Sequence, residues 1–104
     1  MKTAESAVLR ACLDYLRTRG HFVIRINCGG GVDRNGRPIR GTDINGVADI
    51  IGLEKGTGRG LAVECKSDKG RQTERQKIFE NSWTWAGGLY VVARGIDDLK
   101  AAGL

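Results

Sequence analysis

A single α/β domain is the fold this 104-residue sequence predicts: a mixed β-sheet flanked by helices, in the order α-β-β-β-α-β-α. Three observations lead there. Apolar residues recur at helical spacing in separate segments, short runs rich in Val, Ile, Leu and aromatic residues lie between them, and glycine punctuates the boundaries. The length is near the usual size of one domain. No internal repeat, low-complexity tract or linker divides it, so residues 1–104 read as one unit.

The elements follow in order along the chain. Ala4, Val8, Ala11, Cys12, Tyr15 and Leu16 repeat at helical spacing, with Thr3 or Ser6 able to cap the start and Gly20 stopping the end; the first helix spans about Ala4 to Arg19. HFVIRIN is β-branched and aromatic and reads as a strand ending at Asn27. The apolar pattern then disappears in CGGGVDRNGRPIRGTDING, a long loop in which Asn35-Gly36 turns a small arm. In VADIIGLEKGTGRGLAVECK, two strands flank a glycine-rich turn. TERQKIFENSWTWAG resumes helical spacing through Gln72, Gln76, Phe79 and Trp83 and ends at Gly87 and Gly88. LYVVA makes the last strand and IDDLKAAGL a short closing helix.

The formal charge is +5, with eleven arginines against six lysines, and the planar guanidinium binds phosphate in a bidentate way. Nucleic acid is therefore the first partner to consider, beside the plainer role of charge in solubility. Three cysteines at irregular spacing and a single histidine argue against a zinc site. There is no long apolar leader and no membrane-length run, so an intracellular, reduced, soluble protein without a membrane partner is expected.

The hairpin carries acids where its neighbours are apolar. If its turn is Lys55 to Gly58, Glu54 lies opposite Arg59, and stepping back along both strands brings Asp49 opposite Glu64. Opposed residues have Cβ atoms roughly 4.5–5.5 Å apart, and like charges so placed repel unless a cation intervenes. Lys66, two residues on, shares the face of Glu64, while Cys65 points the other way with Leu61 and Val63. Oxygen-only ligands suit Mg²⁺ or Mn²⁺, and the Cys65 backbone carbonyl can add to the two carboxylates. The plainer alternative is an ion-pair network in which Lys66 neutralises both acids. Lys69, Arg71, Arg75 and Lys77 cluster just beyond, at the start of a helix, where a phosphate would be attracted.

GVADI followed by AVECK, with a helix containing Gln76 soon after, resembles the PD-(D/E)xK nuclease superfamily. The compact layout is similar to the small stand-alone form of the virus-type replication-repair nuclease (VRR-NUC) domain, over roughly Glu5 to Ala93. The resemblance implies a restriction-endonuclease-like core and a Mg²⁺- or Mn²⁺-dependent DNA endonuclease. Asp49 and Glu64 then stand for the metal-binding acids, Lys66 for the catalytic lysine and Gln76 for the glutamine on the following helix. Glu5 matches an acid that the family often places in its first helix. Glu5 and Gln76 either complete a second metal site or organise the first. Val47-Ala48 departs from the proline-containing dipeptide of the superfamily's name. The resemblance further implies a homodimer acting on branched DNA, as a Holliday-junction resolvase does, in the cytoplasm of a bacterial or phage-infected cell. Arg34, Arg37 and Arg40 of the long loop would reach a partner subunit or the junction, and Lys69, Arg71, Arg75 and Lys77 would contact phosphates.

Two other readings stand beside this one. A catalytically silent DNA-binding or assembly module would keep the fold without turnover, but all three central residues are retained. A small-molecule hydrolase using the same carboxylates suits the open, basic surroundings poorly. GTGRG lacks the following helix of a dinucleotide fingerprint, reads as the hairpin turn, and gives no reason to expect a nucleotide cofactor. His21 reads as a surface or capping residue, and Cys65 lacks a base that would make it a nucleophile. Trp83 and Trp85 cannot share a helix face, so one is expected to pack and the other to be exposed.

Overall fold

The computed structural model describes residues 4–26, 34–37 and 44–104. Its elements are α1 (Ala4–Thr18), β1 (Phe22–Arg25), β2 (Ile50–Leu53), β3 (Gly60–Cys65), α2 (Glu74–Trp85), β4 (Leu89–Ala93) and α3 (Ile96–Ala101), the order expected. They form a four-stranded mixed sheet with spatial order β1-β2-β3-β4. The first two pairings are antiparallel, and β3 and β4 run parallel across the α2 connection.

Glycine ends all three helices by one device. The N–H of Gly20 donates to Arg17 O and that of His21 to Leu16 O; Gly87 and Gly88 do the same to Thr84 and Trp83, and Gly103 and Leu104 to Lys100 and Leu99. The first glycine of each set has a left-handed φ, between +86° and +102°. Such a cap satisfies the last carbonyls of a helix, which is why α1 stops at Thr18, one residue before the expected Arg19.

The hairpin turn is also as expected. Glu54 N–H donates to Arg59 O over 2.8 Å, Gly58 N–H donates to Glu54 O over 2.9 Å, and Gly56 and Gly58 take the left-handed conformation. Strand alternation then divides the sheet into two faces. Leu61, Val63 and Cys65 pack with Cys12, Leu16 and Leu99 beneath α1 and α3, while Ala62 and Tyr90 pack with Phe79 and Trp83 of α2. Trp83 stacks on Phe79 at 5.6 Å and donates its indole N–H to Leu89 O, whereas Trp85 is 92% exposed. Because α2 covers only part of its face, Phe22, Ile24 and Leu53 remain exposed on β1 and β2.

Two further boundaries differ from expectation. Helix α2 begins at Glu74, so Gln72 lies outside it; its amide donates to Glu80 Oε1 and to the Tyr90 hydroxyl. Strand β1 ends at Arg25, although Ile26 N–H still donates to Asp49 O. Arg34–Arg37 form an exposed turn in which Gly36, and not Asn35, has positive φ. Thr3, Asn27, Cys28, Arg40 and the flanks of the expected arm lie outside the described residues. No helix among the described residues is long and apolar enough to cross a membrane.

Candidate active site

The β2–β3 ladder pairs Ile50 with Val63 and Leu53 with Gly60, and one further step along it brings Asp49 level with Glu64. Asp49 occupies a bend just before β2 and is held from two sides. Its carbonyl accepts from Ile26 N–H and its carboxylate Oδ2 accepts from Cys65 N–H, each over 2.8 Å. Three strands thus fix one acid.

Glu64 is only 2% exposed, and its Oε2 is enclosed with no hydrogen-bond partner. Burial first, and then contact with Asp49 and its charge, push the Glu64 carboxyl up to about 9, against the opposing pull of Lys66. Near neutral pH the Glu64 carboxyl therefore keeps its proton. Lys66 does not close this pair as an ion-pair network would. Its backbone N–H donates to Ala93 O, the residue is 8% exposed, and its Nζ lies 3.9 Å from Oε1 of Glu5 in the first turn of α1.

These residues fit a hard divalent cation. Glu64 Oε2 is a buried oxygen lacking a partner, and Asp49 supplies a second carboxylate beside it. In a β-ladder the N–H and C=O of one residue face the same neighbour, so the Cys65 carbonyl turns, like its N–H, toward Asp49. No group of three His, Cys, Asp or Glu side chains poised for a metal occurs among the described residues. The side-chain set is two carboxylates, which matches Mg²⁺, a cation that keeps several waters. Glu5 instead stands against Lys66.

The remaining expected residues fall in three places. Gln76 is the N3 residue of a capping box: its Oε1 accepts from Thr73 N–H over 2.9 Å, and its own N–H donates to Thr73 Oγ1 over 3.2 Å. That assigns its carbonyl end to the start of α2, a role that the Thr-x-x-Gln spacing could have signalled. Lys69 and Arg71 lie on the connector before α2, and Arg75 and Lys77 on its first turns, all exposed; Lys77 pairs with Glu74 at 3.6 Å. Arg34 and Arg37 are exposed on their turn, and Arg40 is outside the described residues.

Two residues went unread in the sequence. Arg94, just after β4, donates to the carbonyls of Ser67 and Gly70 and so ties down the connector; with Arg71 and Lys77 it lines a depression of about 470 Å³. Arg25, at the end of β1, lines a cavity of about 180 Å³ together with Glu5 and Asp49. The strand alternation that buries Val23 places Arg25 on the same face, which was the available signal. His21 accepts the Lys55 N–H on Nδ1 at the hairpin-turn end of the sheet, away from the acids. The Cys65 thiol is buried, and contact with Cys12 and burial push it up, so it is no nucleophile.

Comparison of the chain with protein-family models, with curated proteins and with solved structures finds no match.

Proposed function

We propose that this protein is a divalent-metal-dependent DNA endonuclease. The observation that carries the reading is the Asp49–Glu64 pair: two acids at one sheet end, one of them buried, raised to about 9 and left with an unpartnered oxygen. Such a pair is poorly explained as a stabilising feature, because Lys66 pairs with Glu5 instead. Asp49, Glu64 and the Cys65 carbonyl would hold Mg²⁺ or Mn²⁺. When bound, that ion would lower the pKa of water and polarise a phosphoryl oxygen.

The chain's own residues do the rest. Glu64 would have to give up its proton to hold the ion, so metal affinity would rise with pH. Asp49 is pre-oriented by the Cys65 N–H and needs no rearrangement. Lys66, held by Glu5, places a positive charge where negative charge builds on the phosphoryl group. Lys69, Arg71, Arg75 and Lys77 offer an exposed basic border for phosphates. A homodimer acting on branched DNA, with two sites related by a two-fold axis, is the form of the enzyme proposed.

The test is incubation of purified protein with linear, flap and four-way-junction DNA in Mg²⁺ or Mn²⁺, with EDTA as control. Cation-dependent nicking, lost in Asp49→Ala, Glu64→Ala and Lys66→Ala, is expected. Salt-sensitive binding with no cleavage of any form would favour a silent DNA-binding module.

A further inference from the structure

We infer that duplex DNA reaches the acids along a basic trench on α1, gripped by Arg10, Arg17 and Arg25, in addition to any contact with the α2 side. The ligand class rests on the nuclease reading; the trench itself rests on its shape and charge. A cavity of about 360 Å³ is lined by the three arginines, Leu9, Leu13 and Asp14. Ser6, Leu9 and Arg25 also line the smaller cavity that contains Glu5 and Asp49, so the two are consecutive parts of one trench that ends at the candidate site.

The helix builds one wall. Arg10, Asp14 and Arg17 recur at i, i+4 and i+7 along one edge of α1, and the partly buried Leu9 and Leu13 run beside them. Arg25 stands across from them on β1, on the face that carries Val23. From Glu5 to Arg17 the helix rises about 18 Å at ~1.5 Å per residue, which matches about five steps of one duplex strand at ~3.4 Å each.

The charges favour a polyanion. None of the three arginines is in an ion pair among the described residues, and the larger cavity has a single acid, Asp14, in its lining. Arg17, exposed as a residue, uses one guanidinium nitrogen on Val23 O at 3.3 Å, which fixes its position. A ligand with one anionic group would need one arginine. A phosphodiester backbone, whose charges repeat along its length and whose scissile bond must arrive at Asp49, uses the whole row.

The test compares Arg10→Ala/Arg25→Ala with Lys69→Ala/Arg75→Ala and wild type, measuring fluorescence anisotropy of a labelled duplex in Ca²⁺ across a salt series. Arg17 is left in place because it anchors Val23 O. The Arg10/Arg25 variant is expected to bind about tenfold more weakly and to lower the slope of log K against log salt by about 2, roughly 0.9 per lost phosphate contact. Arg10→Lys/Arg25→Lys, which keeps the charges, should retain most of the slope and shows that the loss is not one of folding. Affinity and slope within error of wild type for the alanine variant would overturn the trench, as would a wild type that binds no duplex. Cleavage by wild type in Mg²⁺ is scored separately: binding through the trench without cleavage sinks the nuclease reading alone, and cleavage with an unaffected alanine variant sinks the trench alone.

Discussion

Glu64 is an acid placed where water barely reaches it, beside a second acid, and its protonation should govern stability as well as chemistry. In cation-free buffer the folded protein keeps its proton up to about pH 9, whereas the unfolded chain releases it near 4.5. Between those values the folded state binds more protons, so stability is expected to fall as pH rises from about 5 to 9. Glu64→Gln should flatten that profile. At pH 9 it is expected to be more stable than wild type by up to several kcal/mol, since one pKa unit is worth about 1.4 kcal/mol. Asp49→Ala removes the acceptor of the Cys65 N–H while Glu64 is still neutral, and without metal is expected to lower stability at pH 7 by about 1 kcal/mol. Both variants are expected to cut at least about 100-fold more slowly, equivalent to ~2.7 kcal/mol of barrier. Urea melts across pH, paired with cleavage rates, check this; a wild-type profile that rises toward pH 9 contradicts it. Legibility at this scale was uneven. Alternation and turn chemistry exposed Asp49 and Glu64 as a facing pair, but the pairing of Lys66 with Glu5 joins residues far apart in the chain and leaves no local signal.

Short polar devices, and not long apolar faces, fix the elements around the site. Helix α2 has no fully buried residue, so its start depends on the Thr73–Gln76 capping box. Gln76→Ala is expected to lower stability by about 1 kcal/mol through the lost cap. If capping is its whole role, the cleavage rate at saturating metal stays within about threefold of wild type, under ~0.7 kcal/mol; a fall like that of Lys66→Ala would return Gln76 to the site. On the other side of the sheet, a Cβ on Gly52 would lie 1.9 Å from Phe22 O, so β1 and β2 can approach only because position 52 carries no side chain. Gly52→Ala is expected to cost about 3 kcal/mol or more and to loosen β1, which thermal melts and amide exchange of Val23 would register. The element order and the hairpin register could be read from turn residues, because glycines at 56 and 58 leave few ways to close that loop. Arg94 could not. Its partners, the carbonyls of Ser67 and Gly70, lie 27 and 24 residues away and meet it only once β3 and β4 are parallel neighbours.

For the whole molecule, the proposed cutting of a four-way junction on both strands calls for two active sites related by a two-fold axis. The described surface has apolar material for such pairing: Trp85 at the end of α2, and Phe22 facing Leu53 across β1 and β2, are 92%, 67% and 50% exposed. Sedimentation at micromolar concentration is expected to give a dimer that cuts a four-way junction faster than linear duplex. A monomer that cuts both equally well would remove the dimer and the junction preference while leaving metal-dependent cleavage in place. Basic residues flank the acids on both sides, with Arg10 and Arg25 toward α1 and Arg71, Lys77 and Arg94 toward α2. A duplex crossing the site would have its backbone held on either side of the cut.

The hydrogen bond from Cys65 N–H to Asp49 Oδ2 also makes that amide a spectroscopic handle. An N–H pointing at a carboxylate over 2.8 Å should resonate well downfield of ordinary strand amides and exchange slowly with solvent. In a ¹⁵N-correlated spectrum this single peak should shift during a Mg²⁺ titration and broaden with paramagnetic Mn²⁺, before DNA is added. Asp49→Asn should move it upfield and abolish the response. Cation occupancy could thus be followed at one atom, in a sample where no bond is being cut.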